Sequence, residues 1–151
     1  MRGLGNFRKV NPKPIVKWWK ERFGVPEEVF RDFEFYMKGK TNVWAVRKFE
    51  RIPNLRFDAV GMVVVRFVKG GYKPTMNAVQ VFGRWATKNV VDLDEEGVRR
   101  FVSGQSVEVE APVEDGYVIV RYRGLPVGCG LYRGGVLKSL VPKDRRIQEL
   151  M

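Results

Sequence analysis

The chain contains no histidine among its 151 residues. Histidine is the commonest general base and the commonest metal ligand, so its absence removes two frequent kinds of catalytic chemistry. The single cysteine, Cys129, excludes an internal disulfide. One cysteine without histidine also excludes zinc sites of the finger or ribbon type. We therefore expect neither a metal site nor a histidine-assisted active site.

Long hydrophobic runs are also missing. The apolar stretch over 60–65 is far shorter than the roughly 20 residues that a membrane-spanning helix needs. The N-terminus carries basic residues with no apolar segment behind them, so no signal peptide is predicted. We expect a protein of the cytoplasm with no membrane partner.

The charge is strongly positive. The sequence has 28 Lys and Arg against 17 Asp and Glu, a net charge of +11 and a pI near 10.0. A balance this basic in a small protein points first to nucleic acid. A membrane surface is the other common polyanion, but no long basic amphipathic helix or lipidation signal favours it. The charged surface of a thermophilic protein would mix both signs.

The segment 116–146 predicts a small β unit. Its first strand, 117–123, is rich in β-branched and aromatic residues and stops at Gly124 and Pro126. Gly128 and Gly130 follow two residues apart, so they share one face of the next strand, and Gly134-Gly135 predicts a hairpin turn. The missing side chains at Gly128 and Gly130 leave room either for a ligand or for another part of the chain.

The same segment resembles the C-terminal RNA-binding region of Sun/Fmu-type 5-methylcytosine RNA methyltransferases, a PUA-like domain. The resemblance covers roughly the second half of the chain and rests on several spaced motifs. They are Gly124-Leu125-Pro126-Val127-Gly128-Cys129-Gly130, Leu137-Lys138-Ser139, Pro142-Lys143 before Arg145, the helix start Tyr72-Lys73-Pro74-Thr75, and the short acidic helix over 94–104.

This resemblance implies an α+β protein. We expect an N-terminal pre-PUA-like α+β module over residues 1–70 and a PUA-like β-barrel with short helices over 71–151, divided at Lys69-Gly70-Gly71. The same pairing of modules resembles ribosome-biogenesis proteins, which suggests a stand-alone RNA-binding protein of archaeal style. A capping box at Asp92 and Glu95 is predicted to open the acidic helix.

The basic residues of 116–146 are the main candidates for RNA contacts, because guanidinium and ammonium groups bind phosphate. Arg121 and Arg123 alternate with Tyr122, so they are expected on one strand face. Some of the set could instead pair with Glu108 and Glu110. The candidates are Arg121, Arg123, Arg133, Lys138, Lys143, Arg145 and Arg146.

A second basic patch lies on a helix that is predicted to start at Pro14. Lys17 and Lys20 flank Trp18 and Trp19, so both lysines are candidates for phosphate contacts. The tryptophans could stack on bases. Their spacing also fits the core stripe of an amphipathic helix, which we favour for at least one of them.

No catalytic constellation is predicted. The segment around Cys129 is a strand and turn, without the glycine-rich cofactor loop of the resembled enzymes, and the cysteine has no histidine partner. The carboxylate pairs Glu95-Glu96 and Glu108/Glu110 are typical of solvated faces. We expect a non-catalytic protein without a cofactor or metal.

The predicted function is binding of structured rRNA or tRNA, in ribosome assembly or association or in RNA modification. The alternative is an RNA-binding accessory subunit of a separate RNA methyltransferase. Its expected partners are therefore RNA and either a ribosomal particle or a modification enzyme.

Overall fold

The computed structural model describes residues 7–48 and 61–146. The sequence also predicts a strand-rich stretch over 55–67, and its first part lies outside the described residues. The strands are β1 (Arg8–Lys9), β2 (Phe33–Lys38), β3 (Asn42–Arg47), β4 (Met62–Val68), β5 (Gly71–Pro74), β6 (Val90–Asp92), β7 (Val107–Glu108), β8 (Gly116–Tyr122), β9 (Leu125–Arg133) and β10 (Val136–Ser139). The α-helices are α1 (Lys13–Phe23), α2 (Met76–Phe82) and α3 (Glu95–Val102), and 3₁₀ turns span Glu27–Phe30, Gly83–Trp85 and Lys143–Arg145.

Helix α1 forms where the sequence predicts it. A proline occupies its first turn, where the missing N–H costs nothing, and Gly24 ends it in a left-handed conformation with φ of 67°. Ile15, Trp19 and Phe23 form its buried stripe. Trp19 is fully buried, so it packs in the core, whereas Trp18 is half-buried with its ring 5.6 Å from that of Tyr72.

The first sheet has the strand order β1-β2-β3-β4-β5 and is antiparallel throughout. The apolar segments 35–37 and 43–46 predict a hairpin around the turn between them, and β2 and β3 confirm it with six register pairs from Phe33–Arg47 to Lys38–Asn42. The proposed division between residues 70 and 71 falls in the turn between β4 and β5, and these two strands pair with each other. The last strand of the first sheet therefore follows that division.

The second sheet has the strand order β6-β8-β9-β10-β7. Only its β6–β8 pair is parallel; the other pairs are antiparallel. One face packs on α3 through a cluster that includes Phe101, Val118 and Leu137. On the other face Ile119 and Cys129 join the core of the first sheet, so one hydrophobic cluster connects both sheets.

The helix caps decide where α2 and α3 begin. Threonine before a helical pattern predicts a cap at Thr75. This prediction is confirmed: the Thr75 hydroxyl accepts a hydrogen bond from the Ala78 N–H and donates one to the Val63 carbonyl. The capping box at Asp92 is wrong: Asp94 caps α3 by accepting from the Gly97 N–H at 2.7 Å. Asp92 is unavailable because it belongs to β6.

The described chain is α+β, with a curled half-barrel sheet and few short helices, as predicted. Within its described part, no helix has the length and apolar character needed to cross a membrane.

Candidate nucleic-acid interface

A row of side chains crosses the exposed part of the second sheet. Tyr117 on β8 is the register partner of Leu131 on β9, which in turn is the partner of Lys138 on β10. Arg133 lies two residues beyond Leu131 on the same face, so it is a diagonal neighbour of Lys138 at a spacing of about 7–8 Å. We call Tyr117, Leu131, Arg133 and Lys138 the basic face.

The two cations of the basic face are exposed. Among the described residues, no acidic side chain forms an ion pair with Arg133 or Lys138. Two acids lie nearby: Glu108 is opposite Val136 and so shares the face of the sheet with both cations, and the Glu110 carboxylate lies 3.0 Å from where a Cβ on Gly135 would be. Both cations of the basic face are therefore without an ion-pair partner in the described part of the chain and are available to bind an external anion.

Tyr117 adds an aromatic group to the same face of the sheet, where Leu131 lies between it and Lys138. It is half-buried, and burial raises the pKa of its phenol while the positive charge of Arg133 acts in the opposite direction. The phenol is therefore neutral at physiological pH. A neutral aromatic side chain on the same face as two cations can contact a base while the cations bind phosphate.

Arg121 and Arg123 do not share a strand face, so that prediction is wrong. Strand β8 ends at Tyr122, and Arg123 lies in the following turn with φ of 51°, its guanidinium 5.1 Å from the centre of the Tyr122 ring. Arg121 is only 20% exposed; it donates to the Ala86 carbonyl at 3.3 Å and lies 3.6 Å from Asp92. Arg121 thus connects β8 both to β6 and to the turn that precedes β6.

The three C-terminal candidates have different surroundings. Lys143 is exposed directly after Pro142, and Arg145 lies at an apolar cleft of about 600 Å³ that includes Tyr122 and Leu125. Arg146 donates to the Val141 carbonyl at 3.1 Å and covers Gly104, where φ is 91°. The structure therefore leaves Lys143 and Arg145 accessible and uses Arg146 to hold the chain end against α3.

Lys17 and Lys20 lie on exposed positions of α1, along a groove of about 1120 Å³ between α1 and the turn Glu27–Phe30. The groove mixes both signs of charge. Its cations are Lys13, Lys17, Lys20, Arg31, Lys48 and Lys88, and its acids are Glu21, Glu27 and Glu28.

The two glycines of β9 do not leave a gap. A Cβ on Gly128 would lie 3.3 Å from the Phe101 ring, and a Cβ on Gly130 would overlap the Leu137 side chain. Both glycines are buried on the face that packs on α3. Of the two predicted uses, the structure shows close internal packing and contradicts an approach by RNA at this point.

Two residues hold the start of β8 in place and so position the basic face. The sequence did not predict this role for either of them. Arg22 lies on α1, two residues after the candidate Lys20, and its guanidinium donates to the carbonyls of Tyr117, Glu114 and Asp115 at 2.8–3.2 Å. Burial lowers the pKa of Arg22, and the charge of Glu114 opposes this effect. No local sequence signal distinguishes this arginine from a solvated one, because its partners are backbone atoms more than 90 residues away.

Asn89 completes the same connection. Its side chain donates to the Arg22 carbonyl at 2.7 Å and accepts from the Glu114 N–H at 2.9 Å, and its φ is 55°. Asparagine tolerates this left-handed region better than most residues, which is the only local signal for its role. Asn89 and Arg22 together fix the start of β8, which carries Tyr117.

Cys129 lies on the same face of β9 as Leu131 and Arg133, but in the part that packs on the core of the first sheet, where it is buried. Burial raises the pKa of its thiol to about 12, although the charges of Lys73 and Arg22 act to lower it. The thiolate is the reactive form, so this cysteine is inert near neutral pH.

Comparisons with known proteins match both parts of the chain. Residues 88–147 match the family described as the methyltransferase RsmF PUA domain. Residues 8–61 match a family of unknown function, DUF7122.

Several curated relatives carry the name ribosomal RNA small subunit methyltransferase F. The protein from Aeromonas salmonicida is 36% identical over 90 residues, which are 60% of this chain and 19% of the relative. The protein from Shewanella piezotolerans is 28% identical over 149 residues, which are 91% of this chain and 29% of the relative. The chain thus spans less than a third of these relatives, and their bacterial origin gives the archaeal expectation no support. Residues 88–147 are therefore similar to the PUA domain of RsmF methyltransferases.

Proposed function

We propose that this chain binds structured RNA through the basic face and does not itself catalyse a reaction. The observation that carries the proposal is the pair of exposed cations Arg133 and Lys138, which form no ion pair among the described residues and share a face of the sheet with Tyr117. This arrangement lies in a PUA-like domain that is similar to part of ribosomal RNA methyltransferases. Ribosomal RNA is therefore the favoured ligand, tRNA is the second, and the cytoplasm is the expected place of action.

The remaining candidates take different parts in this proposal. Arg123, Lys143 and Arg145 are exposed and serve as further phosphate contacts. Arg121 and Arg146 support the domain from within through their bonds to backbone carbonyls. Lys17 and Lys20 supply a second contact region along the α1 groove. Contacts of this kind recognise the shape and backbone of folded RNA more than its sequence.

The double variant Arg133→Glu/Lys138→Glu tests the basic face. We expect its affinity for a ribosomal RNA hairpin to fall by more than about tenfold, because two attractive charges become repulsive. The matched control is Lys40→Glu/Lys69→Glu, which makes the same charge change in two exposed hairpin turns of the first sheet. Equal affinities for the two variants, with circular dichroism showing both folded, would contradict the proposal.

The salt dependence of binding measures the number of phosphates contacted. If about six phosphates are bound, the log–log slope of affinity against salt is expected near −4, at the single-strand value of about −0.7 per contact. A slope near zero would remove the electrostatic basis of the interface.

A second function is favoured by the names of the relatives. As an accessory subunit, the chain would deliver RNA to a separate RNA methyltransferase, whereas a ribosome-assembly factor would bind ribosomal particles directly. Affinity purification of the tagged chain separates these roles by the enrichment of a methyltransferase or of ribosomal proteins. Calorimetry with S-adenosylmethionine tests the non-catalytic part of the proposal, for which we expect no binding heat.

A further inference from the structure

Two cations are directly opposite each other at the edge of the first sheet. Arg66 on β4 and Lys73 on β5 are register partners in an antiparallel pair, so their side chains leave the same face of the sheet. Arg66 is exposed and Lys73 is half-buried. Both residues lie between the two segments that match known families, 8–61 and 88–147.

Opposed like charges destabilise a strand pair, and an acidic neighbour normally compensates them. Among the described residues, no carboxylate forms an ion pair with Arg66 or Lys73. The β4–β5 hairpin therefore retains an electrostatic repulsion that an external anion would relieve.

The two cations border a small cleft of about 110 Å³ between the two sheets. Its other walls are Pro74, Thr75, Met76, Cys129, Leu140 and Pro142, none of which is acidic. The positive charge of Lys73 reaches the interior of this cleft, because it acts on the thiol of Cys129.

The cleft is close to the basic face along β10. Leu140, one of its walls, follows two residues after Lys138, and its N–H bonds to the Cys129 carbonyl at 3.2 Å. The next wall residue, Pro142, immediately precedes the exposed Lys143. Cations of the first sheet are thus placed beside those of the second.

We propose that Arg66 and Lys73 together bind one backbone phosphate of an RNA whose neighbouring nucleotides lie on the basic face. This inference rests on the proposed RNA-binding function and extends the interface from the PUA-like domain onto the first sheet. The two side chains enclose the phosphate from both strands, and the bound anion removes their mutual repulsion.

Binding of a ribosomal RNA hairpin by the full chain tests the proposal. We expect Arg66→Gln/Lys73→Gln to weaken binding on the order of tenfold and to make the salt slope shallower by about 0.7, the value for one phosphate contact. The control Lys40→Gln/Lys69→Gln removes two charges as well, one of them from the turn of the same hairpin, and should change both quantities less. If the wild type binds RNA and the two variants match, the inference is overturned while the proposed function stands. If the wild type binds no RNA, both fail.

Melting temperatures test whether Arg66 and Lys73 have a purely structural role. Because the two charges repel each other, Arg66→Gln/Lys73→Gln is expected to melt at the same temperature as the wild type or slightly higher. A clear loss of melting temperature would assign the pair to folding and overturn the inference.

Amide chemical shifts identify the anion. Inorganic phosphate is expected to shift the amide signals of Arg66, Lys73 and Leu140 in the wild type, and the RNA hairpin is expected to displace it. Equal shifts at Lys40 would show unspecific ion binding, and phosphate that RNA does not displace would show a site for a free anion. Either result overturns the assignment to RNA.

Discussion

The Leu137 side chain, from the neighbouring strand, occupies the space where a side chain on Gly130 would be. A Cβ on Gly130 would overlap Cδ1 of Leu137 and lie 3.1 Å from the carbonyl oxygen of Lys138. Leu137 is fully buried, so it cannot move into solvent to make room. The glycine is therefore required by the packing of β9 against β10.

Gly130→Ala is expected to lower the free energy of unfolding by about 1–3 kcal/mol, the usual cost of overpacking a core. Chemical denaturation measures this change. Gly128→Ala is the control from the same strand; its nearest contact would be the edge of the Phe101 ring at 3.3 Å, so a smaller loss is expected. Equal losses for both variants would show that the Leu137 contact is not the cause.

Asn89→Ala is expected to destabilise the protein by about 2–3 kcal/mol. The change removes bonds to Arg22 and Glu114 and places alanine at φ of 55°. Asn89→Gly separates these effects, because glycine accepts this φ without strain but makes no side-chain bonds. Thermal denaturation should still show a loss above about 1 kcal/mol for the glycine variant. Wild-type stability in that variant would assign the role of Asn89 to backbone conformation alone.

Arg121→Gln is expected to lower stability but not RNA affinity, and Arg133→Gln is expected to lower RNA affinity but not stability. The first removes the bond to Ala86 and the ion pair with Asp92, so the free energy of unfolding should fall by about 1 kcal/mol with little change in RNA affinity. The second should weaken RNA binding while stability stays within about 0.5 kcal/mol. Chemical denaturation measures the stability of both variants, and fluorescence anisotropy measures their RNA affinity. Lost RNA affinity in Arg121→Gln and lost stability in Arg133→Gln would contradict the assigned roles.

Cys129 is expected to resist thiol reagents near neutral pH in the folded protein. Burial raises its thiol pKa to about 12, so the reactive thiolate is scarce, and the sulfur is shielded from the reagent. Absorbance after adding an aromatic disulfide should rise only when denaturant is present. Rapid labelling without denaturant would show that the core around Cys129 opens readily.

The ion pair of Lys9 and Glu34 gives a pH-dependent contribution to stability. The hydrogen bond from Lys9, at 3.0 Å, lowers the pKa of Glu34 below its ordinary 4.5, and the same bond raises the pKa of Lys9 above 10.5. The contribution of the depressed carboxyl is present above the unfolded pKa and is lost as pH falls through the folded pKa. That of the raised amine is present below 10.5 and is lost as pH rises through the folded pKa.

Melting temperatures of the wild type and Glu34→Gln test this pair. A small difference is expected at neutral pH, because the pair is largely exposed, and it should disappear in acid. A difference that persists unchanged in acid would point to packing by Glu34 and not to its charge.

Local patterns predicted most of the secondary structure correctly. Pro14 and Gly24 bracket α1, Thr75 caps α2, and Gly134 with Gly135 closes the last hairpin. These signals act within a few residues, so the sequence alone is sufficient to interpret them. The predicted cap at Asp92 is wrong for a non-local reason, because the pairing of β6 with β8 places this residue in a strand.

The candidate site was predictable only as a list of basic residues. The sequence could not distinguish Arg133, which faces solvent, from Arg121, which bonds to Ala86 and Asp92. It likewise gave no sign that Arg22 would bind the carbonyl of Tyr117. A guanidinium has the same local propensity in either setting, and its partners lie far away along the chain.

The amino-acid sequence by itself determined the net charge, the absence of histidine, the turns and caps, and the resemblance to a PUA-like domain. The tertiary structure decided that Phe101 and Leu137 occupy the space beside Gly128 and Gly130, and that Arg133 and Lys138 share a face with Tyr117. It also placed Arg66 opposite Lys73. Charge and turn propensity belong to single residues and short segments, whereas space and shared faces depend on strand register, which only the folded chain defines.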